Sequence, residues 1–365
     1  MNRSRAAIIS VLLLAILIFG AVYYAWNIAT SIFQPVTTTA TNKNISLEIK
    51  KGETTAAIAD DLQKKGLIRN ALAFRVWSRI KGLDTRLEAG VYNKLYPSMT
   101  ISEITDQLLN GQPDAIPVLV LEGWRLEQVG NVFSNAQLTK FKTDEFLDYT
   151  RHIDHFPDAA QYPLLQQVPQ GNSMEGLLFP DTYEVPIQST ARDVVNLLLG
   201  RMSATIKQNH LDTLAQQHKF QNVYQMITLA SIVERETGLP EDRGNIASVY
   251  WNRLFRQNTE TNGLLQADPT VQYARDSQTP PQKYWLPLND TPTNIAPDSP
   301  YNTYKNAGLP PTPICSPGLA SLQQVANPPT TDYYYFFATK GRKSIFAKTL
   351  AEFNDAQKKY PVVSQ

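Results

Sequence analysis

The residues with the most chemical potential sit at the end of one apolar stretch, Thr228 to Gly238, which reads TLASIVERETG. Two carboxylates there, Glu234 and Glu236, flank Arg235 just ahead of Gly238 and Pro240. Those last two residues are helix stops, glycine because it accepts a left-handed cap and proline because it cannot continue the ladder. Upstream, Val223, Met226, Ile227, Ala230 and Val233 recur at the spacing of one helical face. At about 100° per residue, Glu234 falls beside Ile227 and Ala230, and Glu236 beside Leu229 and Ile232. Both acids lie away from the face of Tyr224, Thr228, Ser231 and Arg235. A carboxylate in a last helical turn feels the negative end of the dipole, and apolar neighbours strip its hydration. Both effects favour the protonated form, which a general acid near neutral pH requires. The same residues also describe a solvated Glu-Arg-Glu end of a core helix, and the spacing does not separate the two acids.

The bulk numbers narrow the classes. A chain of 365 residues suffices for two or three domains with a sizeable core. Its net charge of +1 gives no electrostatic argument for nucleic acid. Cys315 is the single cysteine, which excludes an internal disulfide framework and a cysteine-based zinc site. Four scattered histidines suggest no cluster, so neither a metal nor a cofactor is expected.

The elements that must hold these acids begin at a second signal. Arg3 and Arg5 precede an uncharged apolar run over 6–26, about long enough to cross a bilayer as a helix. Tyr23, Tyr24 and Trp26 cluster at its far end, as interfacial aromatics do. With residues 1–5 in the cytoplasm, everything beyond the run lies outside it. A cleaved signal peptide is the competing reading, although its apolar core is usually shorter.

Residues 27–44 read as a tether. From Ile45 the pattern tightens: Ile45, Leu47 and Ile49 alternate as a strand, Lys51-Gly52 turns, and Thr54 or Thr55 caps a helix carrying Ile58 and Leu62. A helix over 71–80, a short strand at 90–92 and a helix carrying Ile101, Ile104, Leu108 and Leu109 and closing at Gly111 complete a small α+β module, 45–112. Its strand, K-G-E-T turn and I-A helix resemble a LysM-like glycan-binding module; a plain spacer domain fits nearly as well.

The remainder, 113–365, is expected to be a larger mixed α+β domain, giving an α+β chain as a whole. PVLVL at 117–121 is a strand, and helical stretches run to about Gln167. MEGLLFPDTYEV then puts Glu175, Asp181 and Tyr183 on turn-rich backbone, where ligand groups are often held. Helices are expected over 191–211, 240–257, 319–325 and 350–360. Between them, GLLQADPTVQYA alternates so that Gln266, Asp268, Thr270 and Gln272 share one parity, which reads as a strand with a polar face. Ten prolines between Pro280 and Pro317 make extended loops, with Tyr301, Tyr304 and Leu309 available for packing. YYYFFA at 333–338 reads as a central strand.

ASIVERETG, NIASVYWNRL, LQADPTVQYA and YNTYKNAGLPPTPICSPG, preceded by EGLLFPDTY, together resemble the endolytic murein transglycosylases, the YceG-like family. The resemblance spans 45 to the C-terminus. It implies an inner-membrane, single-pass enzyme facing the periplasm that cuts the MurNAc-GlcNAc bond within nascent peptidoglycan strands and leaves 1,6-anhydro-muramic ends. Its partners would be the glycan strands, lipid-linked or mature, the membrane, and peptidoglycan synthases. The family's catalytic glutamate, that of the E-T pair, lands on Glu236. By the same resemblance Glu175, Asn252, Gln266, Asp268, Tyr273, Asn302 and Tyr304 belong to the substrate groove. For these a structural reading stands alongside, with Asn252 capping a helix and Asp268-Pro269 making a turn. Ala267 departs from the family, which commonly has Thr there. Cys315 has no partner or base in the sequence around it and reads as inert.

One acid suffices for this chemistry. Protonated Glu236 would protonate the departing glycosidic oxygen, then as carboxylate take the proton of the muramic C6 hydroxyl as that oxygen closes onto C1. No second carboxylate is needed, unlike the paired acids of ordinary glycoside hydrolysis. A muramidase using water and a non-catalytic glycan-binding scaffold are the alternatives.

Overall fold

In the computed structural model, residues 32–37, 44–50, 52–82, 87, 89–110, 115–236, 239–278, 280–288, 299–339 and 343–360 are described. The apolar run 6–26, the Lys51 half of the first turn, and the stops at Gly111 and Gly238 lie outside them. The chain divides into two units, 1–116 with 186–188, and 117–185 with 189–365. Both mix helices with small sheets, and among the described residues no helix is long and apolar enough to cross a membrane.

In the first unit, strand β1 (Ile45–Ile49) pairs antiparallel with β2 (Gly90–Leu95), with Leu47 opposite Tyr92. Helix α1 (Thr55–Lys64) starts where the Thr54 hydroxyl accepts from the Ala57 N–H, satisfying an otherwise orphaned donor. Helix α2 (Ala71–Lys81) is capped likewise by Asn70 and stops at Gly82 in the left-handed conformation. With α3 (Ile101–Asn110) these elements bury Leu47, Ile58, Leu62, Phe74, Leu95, Ile104 and Leu108 in one core. Ile32 and Phe33, from within the expected tether, pack on that core, Phe33 against Trp77 with ring centroids 6.2 Å apart.

In the second unit, strand β3 (Ala115–Leu119) pairs with β4 (Thr182–Pro186). Helices α4 (Leu126–Asn135) and α5 (Thr143–Arg151) lead through three short 3-10 turns to the EGLLFPDTY segment. Helices α6 (Ala191–Gln208) and α7 (Leu211–Gln217) then bring the chain to α8 (Val223–Glu236), against which α7, α9 (Arg243–Phe255), α10 (Asp268–Gln278) and α11 (Leu319–Ala326) all pack. Strands β5 (Tyr335–Ala338) and β6 (Ser344–Ala347) and helix α12 (Leu350–Lys359) finish the fold.

Helix α8 is buried all round rather than amphipathic. The expected polar face, Tyr224, Thr228 and Ser231, is enclosed as fully as the apolar one, because the proline-rich loop sheathes it. The Ser231 hydroxyl donates to Thr228 O and accepts from the Ile314 N–H, and the Tyr224 hydroxyl donates to Pro311 O. Small hydroxyls satisfied on their own or adjoining backbone let a polar stripe be buried without an unpaired group.

Two expected strands need correcting. LQADPTVQYA is not a strand: Gln266 turns the chain at a φ of 54°, and α10 begins at Asp268 with Pro269 in its first turn. Proline's fixed φ and missing N–H suit that position, so the period-two parity of Gln266 to Gln272 was incidental. The aromatic run is a strand but not a central one. Among the described residues it pairs with β6 in a two-stranded sheet, Phe336 opposite Phe346. Helix α9 starts three residues later than Pro240, which lies in the preceding turn.

Candidate active site

The two acids at the end of α8 part company in the structure. Glu234 accepts from the Gly318 N–H at 3.0 Å and from the Ser321 hydroxyl at 2.6 Å, with Arg243 at 3.8 Å. It therefore caps the start of α11, where backbone N–H groups have no helical partner and a negative charge is favoured. Glu236, two residues on, points elsewhere. Its Oε1 accepts a very short hydrogen bond from the Tyr250 hydroxyl on α9. Arg235, between them, lies over the Trp285 ring at 4.4 Å and against Gly123.

Burial pushes the Glu236 carboxyl up to about 7, and the nearby Asp268 charge pushes the same way. The Tyr250 hydrogen bond and the charges of Arg253 and Arg235 pull it back in part. Near neutral pH the group is thus divided between acid and base, the condition under which one residue can perform both roles.

Three further elements close around it. Tyr250 meets Phe336 of β5 edge to face at 5.8 Å, which fixes the phenol ring that holds Glu236. Arg253, one turn further along α9, is 6% exposed; it donates to Tyr334 O at 2.7 Å and to Leu265 O at 2.5 Å, and lies over the Tyr335 ring. Asp268, at the first position of α10, accepts from the Tyr304 hydroxyl at 2.5 Å.

Among the groove candidates, Asp268 and Tyr304 are thus joined to each other beside Glu236, and Gln266 reaches the same neighbourhood by accepting from Arg253 at 3.2 Å. Asn302 accepts from the Tyr304 N–H and so shapes the turn that presents Tyr304. Asn252 faces away, its amide donating to Thr331 O and Tyr333 O, where it ties α9 to the approach to β5. Glu175 and Tyr273 form a second centre. Glu175 is 1% exposed, accepts from the Leu126 N–H at 3.2 Å and from the Tyr273 hydroxyl at 3.3 Å, and burial raises it to about 8. Arg125 covers the Tyr273 and Tyr284 rings at 4.2 and 4.8 Å. Together with Ser173 and Ser277 these residues line a pocket of about 360 Å³.

Tyr250 and Arg253 escaped the sequence reading as site residues. Their signal was a tyrosine and an arginine one turn apart on a helix face otherwise made of Ile246 and Val249. Nor are the histidines all scattered. His152 and His155 both turn their Nδ1 to Asp148, at 3.2 and 3.0 Å. The three groups could converge on a cation, but they are about half exposed and already pair as acid and imidazole, which accounts for them without a metal. Cys315 is buried, its thiol donating to Ser231 O at 3.3 Å, and burial pushes it far above the usual thiol range, as an inert residue requires.

The profile of the YceG-like family matches residues 47–359. The chain belongs to the YceG-like family. This YceG-like chain is 30% identical over 356 residues to the endolytic murein transglycosylase of Bacillus subtilis, covering 94% of its own length and 91% of that protein. A protein of the same description from Streptococcus pneumoniae is also 30% identical over 359 residues, and there the chain spans 63% of the relative's length. The crystal structure of a YceG-like protein from Listeria monocytogenes superposes with a TM-score of 0.55 at 30% identity, over 87% of this chain and all of that one.

Proposed function

We propose that this protein is an endolytic murein transglycosylase, cleaving the MurNAc-GlcNAc bond within peptidoglycan strands with Glu236 as its single acid and base. The observation that carries the reading is the state of Glu236: a carboxyl raised to about 7 by burial and held in place by the Tyr250 hydroxyl. Relatives that carry this activity in their names match nearly the whole chain.

In the proposed reaction the protonated Glu236 donates to the glycosidic oxygen as the bond to C1 breaks. The resulting carboxylate accepts the proton of the C6 hydroxyl while that oxygen bonds C1, leaving a 1,6-anhydro-muramic end and regenerating the acid. Tyr250, donating to Oε1, stabilises the carboxylate stage and leaves the other oxygen for proton transfer. Glu175 and Tyr273 line a polar pocket suited to sugar hydroxyls or an acetamido group.

Hydrolysis by a retaining pair of acids would need a second carboxylate free to attack C1. Asp268 is the acid at hand, its Oδ1 accepting from the Tyr304 hydroxyl, and product mass separates the two routes. We place the protein in the inner membrane, anchored by a span over 6–26, with both described units in the periplasm, the first serving as a LysM-like module.

Mass analysis of fragments released from purified sacculi tests the chemistry. The reading expects anhydro-muramic ends from the wild-type protein and none from Glu236→Gln with glycan binding retained. Products one water heavier, with reducing ends, would make it a muramidase. No fragments from either protein would leave a binding scaffold.

A further inference from the structure

On helix α2, Leu72, Val76 and Ile80 stand one turn apart and drift only slowly around the axis, so they form a single stripe. All three are turned to solvent, 65%, 49% and 72% exposed, on a helix whose opposite side buries Ala71, Ala73, Phe74 and Ser78. They border a cleft of about 920 Å³ closed on its other side by the turn Gly52 to Ala56. Contiguous exposed aliphatic groups of this kind mark a surface that meets something apolar.

Three features of the first unit say what that is. The chain preceding the module reaches α2 directly: Phe33 packs on Trp77, and Arg69, just ahead of the helix, donates to Pro35 O at 2.8 Å. Only six residue steps separate Trp26, the end of the apolar run, from Ile32 on this core, at most about 22 Å when fully extended. Arg75 and Arg79 line the same cleft as the stripe, with Glu53 beside them and Asp60 paired with Arg75 at 2.7 Å. Long cationic side chains on the flanks of an aliphatic stripe are the composition of a helix that lies in a lipid interface. A glycan is poorly matched, since Leu72, Val76 and Ile80 offer a sugar no ring to stack on and no hydrogen bond.

We infer that the exposed face of α2 seats on the anionic surface of the same bilayer that the 6–26 run enters, its three aliphatic side chains entering the acyl boundary and its basic flanks meeting the headgroups. This rests on the proposed membrane span. It makes the first unit a membrane-seated base rather than a freely swinging module.

The full-length chain in nanodiscs of phosphatidylethanolamine and phosphatidylglycerol tests the inference. Single spin labels are placed at Val76→Cys, Ala15→Cys and Lys64→Cys, with buried Cys315 left unlabelled. Accessibility to oxygen and to a water-soluble nickel chelate is then compared. The expected result is a several-fold higher oxygen-to-chelate ratio at Val76 than at Lys64, falling in Arg79→Gln. A Val76 label as chelate-accessible as Lys64, with Ala15 still shielded, overturns the inference and leaves the span standing. Ala15 equally accessible would remove the span and the seat together, without touching the fragment assay for cleavage.

Discussion

The Tyr250 hydroxyl donates to the Glu236 carboxylate across the gap between α9 and the end of α8, and the two residues are fourteen apart in sequence. The bond sets two opposed influences on one group. Burial and the Asp268 charge raise the carboxyl, while the phenol stabilises its ionised form and draws it down, leaving it at about 7. A catalyst that must give a proton and then take one back is best placed at such a balance point.

The pH dependence of cleavage follows from that position. In the proposed role of general acid, Glu236 must carry its proton in the free enzyme, so kcat/KM should decline as pH rises through about 7. Glu236→Gln should lower kcat by about 10²–10⁴-fold, the usual worth of a positioned proton donor. A profile flat to about pH 9 would remove Glu236 from the acid role.

Tyr250→Phe should move the alkaline limb to higher pH. The lost hydrogen bond favoured the carboxylate, so without it the proton is held more tightly. The readout is the inflection of kcat/KM against pH; a limb that moves to lower pH would show that the phenol does not stabilise the ionised acid.

Stability should carry the same signature. Because the folded-state value of Glu236, about 7, lies above its ordinary 4.5, the protonated form stabilises the fold. That contribution is complete below about 4.5 and is lost as pH rises through about 7. Glu236→Gln has no charge to bury, so relative to wild type it should gain on the order of 1–3 kcal/mol between acid and alkaline conditions. Denaturation midpoints of both proteins across that range provide the check.

Glu175 separates a polar contact from a charge. Raised to about 8, it is mostly protonated at neutral pH, and like the protonated acid Gln can accept from the Leu126 N–H through its oxygen and donate to the Tyr273 hydroxyl oxygen from its other terminal atom. Glu175→Gln should therefore leave the melting temperature nearly unchanged at pH 7. Glu175→Ala orphans two buried groups and should cost about 2–4 kcal/mol in urea unfolding.

Gly176→Ala should be more damaging than its size implies. The residue has φ +75°, and a Cβ there would lie 2.8 Å from Cys315 O and against Pro313. Backbone cannot swing aside as a flexible side chain can, so a loss of about 2–4 kcal/mol is expected. An unaltered unfolding midpoint would mean that the proline-rich loop is not held against this turn.

Much of the frame was legible from local chemistry. Thr54 marks a helix start because its side chain satisfies an N–H group three residues on, and Ile58, Leu62, Ile104 and Leu108 are buried as their spacing requires. Where the reading failed, a longer-range partner or a backbone rule outweighed the pattern. LQADPTVQYA alternates in polarity, yet Pro269 suits a helical first turn and the segment follows it. Ser231 shares a helix face with Tyr224 and Thr228 by spacing, but nothing local says that the loop carrying Ile314 and Cys315 covers it.

The sequence by itself determined that two acids end a largely apolar helix among motifs that resemble one family, and that resemblance is what points to Glu236. It could not say from spacing how Glu234 and Glu236 differ, since two residues apart they share the same dipole and similar apolar neighbours. Only the tertiary structure decided that, by bringing Gly318 and Ser321 to one and Tyr250 to the other. Local sequence sets which groups exist and how they repeat. The partner each buried charge meets is chosen by chain segments up to 87 residues away, and that partner decides whether a carboxylate caps a helix or is held by a phenol.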